Sequence, residues 1–139
     1  MIKIQKTTAE NLQIARKCEQ IAKENLIQNG GELHFSKTVY ECDEIYYLTI
    51  NETIIGYAAI KYGYRLKDDA YVMQIAIKKQ YQAKGYGTAI YNYLKKEIKH
   101  CKYITCDIKN ENIKSINFHL KNGFIKEQFI NLSLYIFNL

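Results

Sequence analysis

Hydrophobic and polar positions along the chain predict strands and helices in an interleaved order. Seven stretches show the alternation or the short apolar runs of strands, at residues 1–5, 45–50, 53–63, 70–79, 102–108, 123–127 and 132–139. Three others have apolar residues at helical spacing, at residues 8–28, 88–98 and 113–121. The order β-α-β-β-β-α-β-α-β-β, with a break allowed in the first helix, indicates the α/β class with a mixed sheet.

Local signals set the ends of the first and last helices. Thr7 and Glu10 have the spacing of a capping box, so the first helix should begin there and end before paired glycines at 30–31. Its buried stripe is predicted to contain Leu12, Ala15, Cys18, Ile21 and Ala22. Residues 31–44 are expected to be irregular or partly helical. The last helix should end at Asn122-Gly123 and bury one row of apolar residues, Ile113, Ile116 and Leu120.

The connections between strands predict part of the sheet. The tight turn Asn51-Glu52 should join the second and third strands as a hairpin. The strand at 102–108 follows a strand and a crossover helix, so it should lie parallel to the strand at 70–79 in a right-handed unit.

Composition and charge narrow the class of protein. The 139 residues suffice for a single domain spanning 1–139, and the amino-terminal sequence lacks the apolar core of a signal peptide, so we expect a cytoplasmic protein without a membrane partner. Four cysteines without metal-ligand spacing indicate reduced thiols and no metal. The net charge of +6 favours anionic partners, but Arg16 and Arg65 are the only arginines, which argues against nucleic acid as a partner.

A glycine-rich segment lies between the strand at 70–79 and the helix at 88–98. It does not fit a Walker loop, and it fails the dinucleotide fingerprint because Ile90 stands where a third glycine is needed. What remains is the pattern Q-x-x-G-x-G over residues 82–87. Backbone N–H groups at such a helix start can hold a pyrophosphate, and Lys84 adds a cation. The alternative is a plain strand-to-helix turn that tolerates glycine.

Two motifs together resemble the GNAT superfamily of acyl-CoA-dependent N-acyltransferases. The sequence "QIAIKKQYQAKGYGTAIYNYL" resembles the family's motif A, in which an apolar-x-apolar triplet precedes Gln/Arg-x-x-Gly-x-Gly/Ala and a helix. The sequence "CDIKNENIKSINFHLKNGF" resembles motif B, with Asn112 on the motif's asparagine and Gly123-Phe124 on its Gly-Phe. The two cover roughly residues 71–124.

The resemblance implies a GNAT fold, in which a mixed, mostly antiparallel sheet contains a splayed parallel strand pair and is flanked by helices. It also implies acetyl-CoA as co-substrate. The backbone of Ile75, Ala76 and Ile77 would pair with the pantetheine amides, and Asn112 would hydrogen-bond the cofactor arm, although an asparagine there can also be a helix cap. The segment that would hold the pyrophosphate comprises Gln82, Ala83, Lys84, Gly85, Tyr86, Gly87 and Thr88.

The catalytic groups implied by the resemblance are incomplete. A backbone N–H near Ile75 could stabilise the oxyanion. The family's proton-donating tyrosine lies four residues before the Gly-Phe glycine, and here that position is His119. His119 could donate a proton to the thiolate, or it could only pack beside the sulfur. The family's glutamate is absent, and Gln74 could position an amine or a water without taking its proton.

Weaker candidates surround these. His34 and His100 are alternative histidines, and the carboxylates that could act through water are Glu41, Asp43 and Glu44. Tyr62 and Tyr64, predicted on one face of their strand, could line an acceptor pocket.

The resemblance implies transfer of acetyl from acetyl-CoA to a primary amine of a small molecule or protein by direct attack. Two alternatives stay open, namely acetylation of aminoacyl-tRNA and a binding module that holds acyl-CoA without catalysis. A homodimer also stays open.

Overall fold

The computed structural model describes residues 1–28, 39–128 and 132–139. Its strands are β1 Ile2–Thr7, β2 Glu44–Ile50, β3 Thr53–Tyr62, β4 Asp69–Ile77, β5 Tyr103–Lys109, β6 Ile125–Gln128 and β7 Leu132–Asn138. Its α-helices are α1 Leu12–Gln28, α2 Tyr86–Glu97 and α3 Ile113–Lys121, and short 3₁₀ turns occur at Val39–Glu41 and Lys79–Tyr81. The predicted α/β class and order of elements are confirmed.

The strands form one mixed sheet with the order β1-β2-β3-β4-β5-β7-β6. All neighbours are antiparallel except β4 and β5, which are parallel as the crossover through α2 predicted. Asn51 and Glu52, both with positive φ, make the tight turn of the β2–β3 hairpin. This hairpin confirms the sequence prediction.

Each face of the sheet is covered by helix. Ile90, Tyr91 and Leu94 of α2 pack on one face, hereafter the α2 face. Residues Ala15, Cys18 and Ile21 of α1 pack on the opposite face, hereafter the α1 face. Successive strand residues alternate between the two clusters because side chains in a strand point to opposite sides of the sheet.

Two helix predictions are wrong in detail. The capping box is not formed, because α1 begins at Leu12 and the side chain of Asn11 accepts the hydrogen bond from the Ile14 N–H. The preceding turn breaks the helix that Thr7 would have started. Leu12 is therefore exposed at the first turn, whereas the rest of the predicted stripe is buried.

The buried row of α3 also differs from the prediction. Ile113 and Leu120 are exposed, while His119 is buried. The helix turns its aromatic and polar residues inward because Phe118 and His119 stack on Tyr91 of α2. The predicted stop is confirmed, since Gly123 has φ +91° and the Phe124 N–H donates to the His119 carbonyl. The uncertain segment 31–44 falls largely outside the described residues, as does His34.

Candidate active site

The parallel strands β4 and β5 separate soon after they meet. They pair only at three positions, Asp69 with Tyr103, Ala70 with Ile104 and Tyr71 with Thr105. Beyond Tyr71 and Thr105 both strands continue, to Ile77 and Lys109, without pairing to each other. The facing edges of β4 and β5, hereafter the split, therefore lack a partner strand within the described residues. Backbone polar groups at such an edge need hydrogen-bond partners from elsewhere.

An irregularity in β4 lies beside the split. The register with β3 shifts so that Ala59 faces Gln74 and Ile60 faces Val72, which leaves Met73 as an extra residue. Gln74 is buried, and its Oε1 accepts a hydrogen bond from the Tyr57 hydroxyl at 2.7 Å. Tyr57 belongs to the cluster on the α1 face, so Gln74 is held on that face.

The start of α2 provides backbone N–H groups close to the end of β4. Gly85 is the N-cap residue with φ +87°, and the Ala89 N–H makes the first helical bond, to the Gly85 carbonyl at 3.0 Å. The N–H groups of the first turn precede that bond and lack helical acceptors. Ala83 also has a positive φ, of 59°, so left-handed residues alternate in the loop. Lys84 between them is exposed. This geometry fits an anion such as a pyrophosphate.

Gln82 connects the loop to three elements. Its Nε2 donates to the Ile77 carbonyl at 2.9 Å and to Asn25 Oδ1 at 3.3 Å, and its Oε1 accepts from Lys114 Nζ at 2.9 Å. Its backbone N–H donates to the Lys79 carbonyl. Gln82 therefore fixes the end of β4 against α1 and α3, and the Ile77 carbonyl already has partners.

Gly87 and Asn112 both have structural roles, of which the sequence indicated only the helix cap, as an alternative for Asn112. A Cβ on Gly87 would lie 2.8 Å from Phe118 Cζ, so the absence of a side chain lets α3 approach α2. Asn112 is the N-cap of α3, with its Oδ1 accepting from the Ser115 N–H at 3.2 Å. The Asn112 amide nitrogen takes no part in that cap.

The side chain of His119, on α3, is buried against Tyr91 of α2 and against Phe124. Its Nδ1 lies 2.8 Å from the Ser115 carbonyl and must donate to it, so its Nε2 accepts from the Tyr91 hydroxyl at 2.6 Å. Burial lowers the pKa of the imidazole from 6.5 to about 4, although the bond to Ser115 acts in the other direction. Burial also raises the pKa of Tyr91 far above its ordinary value, so its hydroxyl stays a donor. These contacts support the packing alternative for His119.

The other candidate side chains are dispersed. Asp43 accepts from the Tyr62 N–H, and Glu44 is bound by Lys6 and by the Tyr62 hydroxyl. Tyr62 and Tyr64 do not share a face, which corrects the prediction. Tyr62 packs on the α2 face and His100, whereas Tyr64 stacks on Tyr71 with 4.7 Å between ring centroids. The alternation is broken because β3 ends at Tyr62 and Gly63 has a positive φ.

Asp107 is the residue beside the split that the sequence analysis missed. It lies on β5 two residues after the last pair, and its Oδ2 accepts from the Tyr71 hydroxyl of β4 at 2.9 Å. Arg65 Nε lies 3.2 Å from the same oxygen. The only sequence signal was one carboxylate within the apolar run "YITCDI".

The family assignment rests on a match over most of the chain. Residues 12–124 match the family model described as "Acetyltransferase (GNAT) family". The chain therefore belongs to the GNAT acetyltransferase family and is an acyltransferase. A comparison with curated proteins gives no match. Within residues 1–28, 39–128 and 132–139, no helix combines the length and the apolar character needed to span a bilayer.

Solved structures share the fold at low sequence identity. An acetyltransferase from Thermus thermophilus is 17% identical with a TM-score of 0.77, over 100% of this chain and 97% of the other. The ribosomal-protein-S18-alanine N-acetyltransferase from Escherichia coli is 18% identical with a TM-score of 0.66, over 98% and 91%. A protein from Bacillus anthracis assigned as a streptothricin acetyltransferase, solved with acetyl coenzyme A, is 17% identical with a TM-score of 0.66, over 78% and 72%. At these identities the likeness concerns the fold.

Proposed function

We propose that this protein is an N-acetyltransferase that transfers the acetyl group of acetyl-CoA to a primary amine of a small molecule or a protein. The observation that carries the proposal is the split between β4 and β5, which opens next to the N-terminus of α2. An extended chain with amide groups can bond the unpaired strand edges while its phosphates meet the helix start. Acetyl-CoA has both parts, and it supplies a thioester carbonyl that an amine can attack.

The residues at the α2 start are assigned to the phosphates. The N–H groups after Gly85 and the ammonium of Lys84 bind negative charge, while Ala83 holds the loop in the required left-handed turn. On the strand, the free edge of Ile75 and Ala76 bonds the pantetheine arm. Gln82 contributes to phosphate binding only by fixing the loop, because its side chain and its backbone N–H are already hydrogen-bonded within the protein.

The chemistry at the thioester needs an oriented amine and a stabilised oxyanion. A backbone N–H at the bulged segment of β4 is the group assigned to the oxyanion, because the bulge frees a residue from the ladder with β3. We assign no proton transfer to His119, since both its ring nitrogens are bonded within the protein and its pKa is about 4. The leaving thiolate, a fairly stable anion, then takes its proton from water.

The test combines cofactor binding with turnover. Calorimetry should show acetyl-CoA binding and a raised melting temperature, because a ligand that binds only the folded state stabilises it. Thiol release should then occur with at least one of spermidine, kanamycin, free lysine and a peptide with a free N-terminal alanine. No binding at millimolar acetyl-CoA contradicts the proposal, and binding without thiol release from any of these amines contradicts the proposed class of acceptor.

Matched lysine variants test the phosphate assignment. Lys84→Gln should weaken acetyl-CoA binding severalfold, whereas Lys79→Gln, which removes an exposed lysine from the preceding 3₁₀ turn, should not. Pantetheine lacks the pyrophosphate and should bind the wild type and both variants equally. Equal losses with pantetheine and acetyl-CoA would place Lys84 elsewhere than beside the phosphates.

A further inference from the structure

The carboxylate of Asp107 lies across the apex of the split, which is the point just beyond the pair of Tyr71 and Thr105 where β4 and β5 stop pairing. Asp107 belongs to β5 and Tyr71 to β4, yet the Tyr71 hydroxyl and Asp107 Oδ2 are 2.9 Å apart. Tyr71 is in the last residue pair before the strands separate. The side chain therefore leans over the gap between the strands rather than away from it.

Asp107 and Tyr71 lie on the α1 face. Their neighbours Ala70, Val72, Cys106 and Ile108 belong to the cluster on the α2 face, and alternation places the intervening residues on the other side. The phosphate-binding start of α2 belongs to the opposite side of the sheet. A thioester that enters from the α2 face would thus meet, at the apex, a second reactant that approaches from the α1 face.

One oxygen of Asp107 has no partner. Its Oδ1 is buried and accepts no hydrogen bond from the described residues, whereas Oδ2 is used by Tyr71 and Arg65. A buried carboxylate oxygen left without a donor is costly, since charged groups inside a protein are normally hydrogen-bonded. The open position on Oδ1 suits a donor that arrives with a ligand.

The charge around this oxygen favours a cation. Thr105 donates to Asp69 at 2.7 Å, and Asp69 is almost fully buried beneath the same face. The Arg65 backbone N–H also donates to Asp69 Oδ2 at 3.1 Å, so these contacts join Arg65, Asp69, Tyr71, Thr105 and Asp107 into one cluster with two carboxylates and one guanidinium. The cluster is therefore net negative within a protein whose formal charge is +6.

An aromatic surface adjoins the cluster. Tyr64 stacks on Tyr71 at 4.7 Å between ring centroids, and Tyr64 is 41% exposed. Burial, followed by the charge of Asp107, raises the pKa of Tyr71, so its hydroxyl remains protonated and holds Oδ2 in place. The aromatic surface of Tyr64 and Tyr71 suits the alkyl carbons beside an ammonium group, and aromatic faces also attract cations.

We propose that Asp107 binds the amine of the acceptor, with Oδ1 accepting its N–H at the apex of the split, and that the acceptor is an alkyl amine that reaches the thioester from the α1 face. This inference rests on the proposed function and assigns the acceptor side of the same site. Asp107 selects and orients the amine.

Asp107→Asn separates this role from a structural one. With its amide oxygen in the place of Oδ2, asparagine keeps an acceptor for Tyr71 and puts an NH₂ donor where the amine should bind. Asp68→Asn is the control, because it removes one negative charge from a partly exposed residue, paired with the exposed Lys102, whose φ of 67° suits asparagine equally well. The two variants have the same net charge.

The experiment uses acetyl-CoA with spermidine, kanamycin, free lysine and the N-terminal alanine peptide. In Asp107→Asn the KM for whichever of these amines the wild type acetylates should rise about tenfold or more, as expected for loss of a charged hydrogen bond. The KM for acetyl-CoA and the melting temperature should stay close to wild type, and Asp107→Glu should recover part of the loss.

The outcomes distinguish the two proposals. A wild-type protein that does not bind acetyl-CoA, or that binds it and acetylates none of the amines, contradicts the proposed function and, with it, this inference. If the wild type is active and Asp107→Asn matches Asp68→Asn in the KM for the amine, Asp107 does not bind the acceptor and Oδ1 is satisfied by a water only. Equal rises in the KM of both substrates would indicate a structural role and overturn the inference as well.

Discussion

The buried imidazole of His119 should make the stability of the protein depend on pH. Its pKa falls from 6.5 to about 4 on folding because burial disfavours the charged ring. Between these values the unfolded chain binds a proton that the folded chain does not. The stabilisation is therefore complete above about pH 6.5 and is lost as the pH falls towards 4. At about 1.4 kcal/mol per pH unit, the whole window corresponds to about 3 kcal/mol.

Substitution of His119 should remove this dependence. His119→Phe leaves the buried Tyr91 hydroxyl without its acceptor, so we expect a loss of about 1–3 kcal/mol at pH 7.5. The double variant Tyr91→Phe with His119→Phe should recover part of that loss, since the Tyr91 hydroxyl is removed together with its acceptor. Both variants should lose less stability than the wild type between pH 6.5 and 4. The assay is urea unfolding at half-unit pH steps.

A control and a kinetic readout complete the test. His100→Gln alters an exposed histidine and should keep the wild-type pH dependence. The kcat of the double variant should remain within about threefold of wild type, whereas loss of a general acid costs on the order of 10²–10⁴-fold. If His119→Phe loses stability as steeply as the wild type on acidification, the reasoning from burial is refuted. A hundredfold drop in kcat would restore the proton-donor assignment.

Two further predictions concern the cofactor loop and α3. Gly87→Val should lower the free energy of unfolding by about 1–3 kcal/mol, because the new side chain collides with Phe118. Gly85→Ala, which is strained by its φ of +87°, should instead reduce the affinity for acetyl-CoA measured by calorimetry. Equal effects of the two variants on that affinity would contradict this division. Asn112→Ala should cost about 1 kcal/mol through loss of the cap on Ser115, whereas Asn112→Asp keeps the cap. Weakened acetyl-CoA binding by both variants would show that the amide nitrogen contacts the cofactor arm, and unchanged binding would leave Asn112 only its role as a cap.

The sequence predicted the elements whose signals are local and repeated. The β2–β3 hairpin, the parallel pair and the end of α3 follow from alternation, crossover geometry and a glycine at the helix end, and all are confirmed. The split itself was expected only through the family resemblance. No local pattern encodes where a ladder stops, because that depends on how two distant strands twist apart.

The side-chain environments were much less predictable. His119 occupies the expected slot, but its role depends on Tyr91, 28 residues away, and no pattern in the sequence connects the two. Asp107 shows the reverse, since an unremarkable residue acquires importance because Tyr71 and Arg65 come close in space. Helix-face prediction failed for α3 because aromatic stacking between two helices outweighed the burial of Ile113 and Leu120.

The short β4–β5 ladder has a mechanical consequence for the molecule as a whole. Strands β1 to β4 form one part of the sheet, and β5, β7 and β6 form the other. The ladder that joins the two parts has only three residue pairs. Past those pairs, the width of the opening is set by side-chain links such as Lys114 to Gln82, which are softer than a strand ladder. A ligand that hydrogen-bonds to both edges takes the place of the missing ladder, so its binding should stiffen the sheet and make the two parts move as one body.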